Sequence, residues 1–213
     1  MVTLLVRRPA TLPHVHLLTR RRGPYCMGMS QLAQYWTVDD VHALPDDGNR
    51  YEVIDGELLV TPSPRWRHQE AVAELFTLLR EYLKRERLAH ALIAPADVIF
   101  SRTRLVQPDV FVVPLVNGRM PEQFTDVGKL LLTVEVLSPS TARADRVKKR
   151  ALFRDEGVPE YWIVDCDART FERSTPIDAR PEVLVDEVIW HPEGASAPLV
   201  IDLRLYFAAV LDG

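Results

Sequence analysis

The segment Lys129–Leu137 constrains the fold of this chain more than any other stretch of its sequence. After Lys129 the run is almost wholly apolar, and Glu135 is the one charge within it. A strand that is buried on both faces has this pattern, whereas a strand with one solvated face alternates between apolar and polar residues. The segment therefore predicts a central strand with other elements packed on both of its faces.

The residues that follow this strand predict a parallel crossover. Ser138–Thr141 opens a helix with Pro139 at its first position, and the helix runs to about Glu156 and ends at Gly157. Tyr161–Asp165 is a second apolar strand. Two strands that are joined by a helix at this spacing are expected to lie parallel, with a right-handed connection.

Upstream, the sequence predicts a short helix, a hairpin and a long helix. The short helix begins near Thr37, where acidic residues follow the cap position. The pair Asp55-Gly56 tolerates the positive φ of a tight turn, so Tyr51–Ile54 and Glu57–Val60 form the hairpin. The long helix covers Arg65–Arg87 and carries an apolar stripe at helical spacing: Val72, Leu75, Phe76, Leu79, Tyr82 and Leu83.

The remaining extended segments complete an α/β fold. They are predicted at Ala91–Phe100, Val106–Val113, Thr170–Ser174, Val183–Trp190 and Leu199–Ile201, and a closing helix is predicted at Arg204–Leu211. The fold class is therefore a mixed central sheet flanked by helices, preceded by the N-terminal helix and the β-hairpin.

The 213 residues suit one domain with some excess chain, and we expect the domain to cover residues 37–213. Residues 1–36 mix prolines, short apolar pieces and clustered arginines such as Arg20–Arg22. We interpret them as a disordered tail or as a start codon placed too far upstream, with Met27 or Met29 as the true start. A basic DNA-binding arm is the alternative.

Composition excludes several classes of protein. No apolar run approaches the roughly 20 residues of a membrane helix, so no span is expected. The two cysteines, Cys26 and Cys166, have no metal-ligand spacing and fit a reducing cytoplasm. A net charge of −4 counts against a protein that coats nucleic acid, but not against an enzyme with a local basic patch.

Two carboxylates in apolar strands are the candidates for chemistry. Burial makes ionisation of Glu135 costly unless a cation lies nearby, and Asp109 starts the preceding apolar strand, after Pro108. If these strands are neighbours, both carboxylates meet at one edge of the sheet. Two hard oxygen ligands with room for water suit Mg²⁺, with Mn²⁺ as the alternative ion. Such an ion activates water and neutralises the charge of a phosphate.

Lys149 is the candidate cation beside these carboxylates. It lies midway along the helix that follows the Glu135 strand, and a crossover helix packs back over the sheet. The helix carries further basic residues that can contact phosphates: Arg143, Arg146, Lys148, Arg150 and Arg154.

Several motifs together resemble the Uma2 family, which belongs to the PD-(D/E)XK superfamily of restriction-endonuclease-like nucleases. The similarity covers about residues 37–190 in order. It is carried by Arg50–Leu58, Gln107-Pro108-Asp109, Val134–Thr141, Lys149 and Gly157–Asp165.

The resemblance implies roles for individual residues. Asp109 is the motif aspartate and Glu135 is the motif (D/E) residue. The usual lysine of the superfamily would stand at Leu137, and the resemblance implies that Lys149 on the following helix replaces it. Glu57 matches a further acidic position and is a candidate metal or water ligand, and His68 matches a position that is typically histidine.

The implied function is a Mg²⁺-dependent endonuclease that cleaves DNA, acting in the cytoplasm as a homodimer. Two alternatives stay open: a catalytically inactive binding or regulatory module with the nuclease fold, and a hydrolase of RNA or another phosphate ester. Each residue also has a structural interpretation. Glu135 and Lys149 can form a buried ion pair, and Asp145 and Lys149 an i,i+4 pair. Asp109 can be a turn residue, Glu57 a hairpin residue and His68 a helix-start residue.

Overall fold

The computed structural model describes residues 34–212. Of the extension predicted for residues 1–36, residues 1–33 therefore lie outside the described residues. From Thr37 onward the chain follows the expected plan. The first helix begins after Thr37, whose hydroxyl and backbone N–H pair with Asp40 in a capping box.

The described part of the chain contains four α-helices: α1 (Val38–His42), α2 (Trp66–Glu86), α3 (Arg150–Asp155) and α4 (Leu203–Asp212). None of these helices is long and apolar enough to cross a membrane. The strands within residues 34–212 are β1 (Arg50–Ile54), β2 (Glu57–Thr61), β3 (Ala89–Ile93), β4 (Val98–Ser101), β5 (Arg104–Val106), β6 (Val110–Pro114), β7 (Leu132–Val136), β8 (Tyr161–Asp165), β9 (Thr170–Ser174), β10 (Glu182–Leu184), β11 (Glu187–Trp190) and β12 (Leu199–Asp202).

A mixed sheet of six strands forms the centre, in the order β10-β9-β8-β7-β6-β3. Strands β7 and β8 are parallel, as the crossover predicts, and the other neighbours are antiparallel. Apolar residues of α2 and α4 pack on one face of this sheet, against side chains such as Val134 and Trp162. Leu152 and Phe153 of α3 pack on the other face with Ile163. The predicted fold class is confirmed.

Two of the predicted strands are each divided between the central sheet and a second sheet, and a third, Val183–Trp190, becomes β10 of the central sheet and β11, which pairs with β12 in a separate sheet. The segment Ala91–Phe100 becomes β3 in the central sheet and β4 in a second sheet, which has the order β2-β1-β5-β4. Likewise, Val106–Val113 becomes β5 and β6. Pro95 and Pro108 lie at the two divisions, and proline interrupts a ladder because it has no N–H to donate. Asp109 consequently follows the point where the chain passes from one sheet to the other.

The helix after β7 starts at Ala142, later than predicted, and passes at once into a wider form. Residues Ala144–Lys149 are π-helical and lead directly into α3. Single π-turns within helices are uncommon and often occur at functional sites. This one buries both Asp145 and Lys149 against the central sheet. The predicted stop at Gly157 is present, with a φ of 68°.

Candidate active site

Five charged side chains meet beneath one cleft, where the two sheets and the π-helical segment come together. They are Glu52, Asp109, Glu135, Asp145 and Lys149, and each is only 1% to 4% exposed. Burying a charge is expensive unless opposite charges and hydrogen bonds satisfy it, so such a group needs an explanation beyond packing.

Asp109 and Glu135 come from neighbouring antiparallel strands. Val110 pairs with Val134, so the same register places Asp109 opposite Glu135. Oδ2 of Asp109 accepts a hydrogen bond from the backbone N–H of Val136 at 2.9 Å, which fixes the carboxylate at the end of β7. The two carboxylates therefore lie on the same face of the sheet, as residues directly across an antiparallel pair do.

Arg50 and His68 hold Asp109 in its ionised form. Nη1 of Arg50 lies 2.9 Å from Oδ1, and Nε2 of His68 lies 3.0 Å from Oδ2. Burial would raise the pKa of Asp109, but the hydrogen bond and charge of His68 and the charge of Arg50 outweigh it and lower the pKa below its ordinary value. Asp109 is therefore a carboxylate throughout the neutral range.

Lys149 lies among three carboxylates. Its Nζ is 2.9 Å from Oε1 of Glu135, 2.9 Å from Oε2 of Glu52 and 3.8 Å from Oδ1 of Asp145. Burial would lower the pKa of Lys149, but these carboxylates outweigh it and raise the pKa above its ordinary value. Lys149 is therefore a permanent ammonium and is not suited to accept a proton.

The negative charges of this group exceed its positive ones. Burial, with Asp109 and Asp145 nearby, raises the pKa of Glu135, although Lys149 opposes the shift. Burial also raises the pKa of Asp145 to about 6. Among residues 34–212, the buried Oδ1 of Asp145 finds no hydrogen-bond partner. An unsatisfied buried carboxylate oxygen and raised pKa values are what an acidic site shows when it lacks a cation.

A cleft of about 890 Å³ gives solvent access to this group. We call it the carboxylate cleft, because Asp109, Glu135 and Asp145 line it. Its walls also carry Arg50, Arg65, Arg67, Arg146 and Lys149. A second cleft of about 480 Å³ shares Arg50, His68 and Asp109 with the first. Asp109 therefore lies at the wall that the two clefts share.

Comparisons with known proteins identify the family and the fold of the chain. Residues 38–203 match the Uma2 family, whose description is "Putative restriction endonuclease". The chain belongs to the Uma2 family. The resemblance seen in the sequence is thus confirmed, and the match extends beyond the predicted limit at residue 190 to include β12.

The Uma2 fold of the chain is also similar to a crystal structure from Anabaena variabilis, described as a "putative nuclease". The two chains share 23% sequence identity with a TM-score of 0.69, over 83% of this chain and 99% of the other. At this identity the similarity shows the fold alone. No curated protein matches the sequence.

The donor set of this Uma2 site suits a hard divalent cation. Across residues 34–212, no three His, Cys, Asp or Glu side chains are already arranged as a metal-binding group. Mg²⁺ does not need one, because it is commonly held by one or two carboxylates, with water and substrate oxygens completing the shell. Asp109 and Glu135 provide two such carboxylates on the cleft wall, and the surplus negative charge favours a cation there.

Four of the five residues predicted from the sequence converge: Asp109, Glu135, Lys149 and His68. Glu57 does not join them. It lies at the start of β2, its side chain is 63% exposed, and it pairs with Lys148 rather than with the buried group. The residues that line the carboxylate cleft do not include it.

Sequence reasoning missed Glu52, Arg50 and the burial of Asp145. Glu52 had a detectable signal, since it precedes the apolar pair Val53-Ile54 in a predicted strand, as Glu135 stands among apolar residues in its own. Arg50 had none, because an arginine at the start of a hairpin is ordinarily solvated. Asp145 was considered only as the i,i+4 partner of Lys149, a position it does occupy.

Proposed function

We propose that this Uma2 protein is an endonuclease that hydrolyses phosphodiester bonds of DNA with Mg²⁺, or Mn²⁺ in its place, held by Asp109 and Glu135. The observation that carries the proposal is the position of these carboxylates opposite each other, Asp109 just before β6 and Glu135 on β7, on the wall of an open cleft, with Lys149 at 2.9 Å from Glu135. Membership of a family described as restriction endonucleases supports the reaction class.

Each residue has a distinct role in this proposal. Mg²⁺, when bound, lowers the pKa of a water molecule and neutralises charge on the phosphate. Asp109 is kept ionised by Arg50 and His68, so it offers a carboxylate at neutral pH. Oε1 of Glu135 accepts a hydrogen bond from Lys149, and Glu135 lines the cleft, where it would hold the ion together with Asp109. The fixed ammonium of Lys149 stabilises negative charge that develops on the phosphate.

The rim of the carboxylate cleft offers contacts for the DNA backbone. Arg65 and Arg67 are exposed there, at the start of α2, and the first turn of this helix has no acidic residue and no side-chain cap. Helix N-termini present free N–H groups and a partial positive charge, which favour phosphate. His68 lies on the same turn and contacts Asp109, so a DNA strand whose phosphates bind at the start of α2 would lie next to Asp109.

A cleavage assay with matched variants tests the proposal. We expect the full chain to nick or cut supercoiled plasmid DNA in Mg²⁺ and to be inactive in EDTA. Glu135→Gln keeps the shape and a hydrogen-bond acceptor but removes the charge, so it should bind Mg²⁺ weakly by calorimetry and lose cleavage. Glu182→Gln, an exposed carboxylate paired with Arg173, is the control and should match the wild type. Full metal-dependent cleavage by Glu135→Gln would refute the mechanism.

The second candidate function is a catalytically inactive module that uses the nuclease fold for binding or regulation. The observation that favours it is that the carboxylate of Asp109 already accepts hydrogen bonds from Arg50, His68 and Val136. These protein contacts occupy oxygens that a metal ion would otherwise use. A module of this kind would bind DNA or protein but would bind no Mg²⁺ at the carboxylates.

The alternative of a hydrolase that acts on RNA or on another phosphate ester is tested by parallel cleavage assays on RNA and on small phosphate esters. The homodimer expected from the sequence stays a prediction, and sedimentation of the full chain would measure its oligomeric state.

A further inference from the structure

Trp66 is exposed to an extent that is unusual for tryptophan. Its relative exposure is 92%, whereas Trp162 and Trp190 are buried, and Trp36 packs against the small core beneath α1. Tryptophan has the largest side chain and is mostly buried in folded proteins, so a fully exposed one is an informative exception. Trp66 therefore contributes almost nothing to the core of this domain, and its indole is open to contact from outside it.

The position of Trp66 relates it to the carboxylate cleft. It is the first residue of α2, and its neighbours Arg65 and Arg67 both line that cleft. The preceding segment Pro62–Pro64 lines the cleft as well, and two prolines in three residues restrict its backbone. Trp66 therefore follows a stiff segment of the cleft wall and lies in the sequence between two arginines that line the cleft, although it is not itself among the lining residues.

An aromatic ring between arginines matches the chemistry of a single nucleic-acid strand. Guanidinium groups contact its phosphates, and the ring stacks on a base, which contributes roughly 1–3 kcal/mol per base and tolerates any sequence. A base inside a duplex has both faces covered by its neighbours, so only an unpaired base offers a free face to the indole.

We propose that Trp66 is a stacking platform for an unpaired base, which makes DNA with a single-stranded segment the preferred substrate class of this site. The inference rests on the proposed function, because the strand that stacks on Trp66 is the one that Arg65 and Arg67 guide toward Asp109. A second copy of this chain is the competing occupant of the exposed indole, and the experiment below distinguishes it.

Binding is measured in EDTA, where Mg²⁺-dependent cleavage is stopped, by the anisotropy of labelled oligonucleotides. One probe is a single-stranded oligonucleotide, and the other is a dumbbell duplex with closed ends. We expect Trp66→Ala to weaken binding of the single strand by about 5- to 150-fold, the equivalent of the stacking energy, and to leave dumbbell binding unchanged. Trp66→Phe should retain most of the single-strand affinity, since its ring still stacks.

Two further readouts separate stacking from charge and from assembly. The single strand should quench the tryptophan fluorescence of the wild type, and this quenching should be absent in Trp66→Phe. The salt dependence of binding should keep its slope in Trp66→Ala, whereas Arg67→Ala should reduce the slope by about 0.7, because it removes one phosphate contact. Sedimentation should give the same oligomeric state for the wild type and Trp66→Ala.

The outcomes are separable. If the wild type binds neither probe in EDTA, this inference fails, whereas the DNA substrate of the proposed function fails only if the plasmid assay in Mg²⁺ also shows no cleavage. If the wild type binds but Trp66→Ala matches it on the single strand, only the stacking role is overturned. If Trp66→Ala weakens both probes equally, or changes the oligomeric state, the indole serves a contact between copies and the stacking role is equally rejected.

Discussion

Nζ of Lys149 lies 2.9 Å from Oε2 of Glu52, so a strand of the second sheet completes a site whose other carboxylates come from the central sheet and the π-helical segment. Oε1 of Glu52 accepts the backbone N–H of Gln107 at 2.7 Å, two residues before Asp109. Glu52 therefore ties Lys149 to the chain that carries Asp109, and we assign it a positioning role.

Removing the ammonium should leave Glu52 and Glu135 buried without their shared partner. We expect Lys149→Met to lower the free energy of unfolding by about 3–5 kcal/mol, the usual cost of breaking a buried ion pair. Adding Glu52→Gln should recover part of that loss. Urea denaturation at pH 7 measures both variants. Lys148→Met is the control, because Lys148 is partly exposed and its pair with Glu57 should contribute at most about 1 kcal/mol. Equal losses from Lys148→Met and Lys149→Met would contradict the buried network.

Asp145 should destabilise the metal-free protein at neutral pH. Burial raises its pKa to about 6 from an ordinary 3.8, so the folded state holds the proton more tightly than the unfolded state does. Its contribution to stability is therefore complete below about pH 4 and is lost as the pH rises to about 6. Asp145→Asn should raise the free energy of unfolding at pH 7 by up to about 3 kcal/mol, with no difference below pH 4. Asp155→Asn, which alters an exposed carboxylate, should show no such pH-dependent gain.

The sequence predicted the fold class because its strongest signals are local. The apolar run around Glu135, the Asp55-Gly56 turn and the stripe of α2 each follow from burial or backbone geometry within a few residues. Glu135 was found for the same reason, since a lone charge in a buried strand is visible without knowing its partners. These elements agree with the structure within a few residues of their ends.

What could not be predicted depends on contacts between distant segments. At Pro108 the chain leaves the second sheet, where β5 pairs with β1, and enters the central sheet, where β6 pairs with β7. No local sequence pattern specifies these pairing partners. Glu52 approaches Lys149 only because of this topology. The π-helical turn was also missed, since its width reflects the burial of Asp145 and Lys149 more than the helix propensity of the segment.

The sequence predicted that Glu57 is a metal ligand, whereas its position in the structure indicates that it is not. Because its side chain is exposed and pairs with Lys148, we expect Glu57→Gln to bind Mg²⁺ and cleave DNA within about 2-fold of the wild type, as surface substitutions usually do. Calorimetry and the plasmid assay measure both properties, and Glu135→Gln serves as the inactive reference. A tenfold loss of Mg²⁺ affinity in Glu57→Gln would instead support the role predicted from the sequence.

His68 should act through Asp109 rather than on the substrate directly. Nε2 of His68 donates to Oδ2 of Asp109 at 3.0 Å, while its buried Nδ1 has no partner among the described residues. Groups that orient a metal-binding carboxylate typically change metal affinity or activity by about 10- to 100-fold when removed. We therefore expect His68→Ala to weaken Mg²⁺ binding within that range, and His68→Gln to restore much of it, because a glutamine amide nitrogen can occupy the position of Nε2.

The pH dependence distinguishes this role from a purely structural one. His68 helps to lower the pKa of Asp109, so in His68→Ala that pKa should rise, and Mg²⁺ binding should be lost at a higher pH than in the wild type. Calorimetry from about pH 4 to pH 7 follows the shift, because the ordinary pKa of the carboxyl group lies at the lower end of this range, and a thermal unfolding scan of each variant confirms that it is folded. His191→Ala, which changes an exposed histidine, is the control. An unshifted pH profile with reduced thermal stability would show that His68 supports the fold alone.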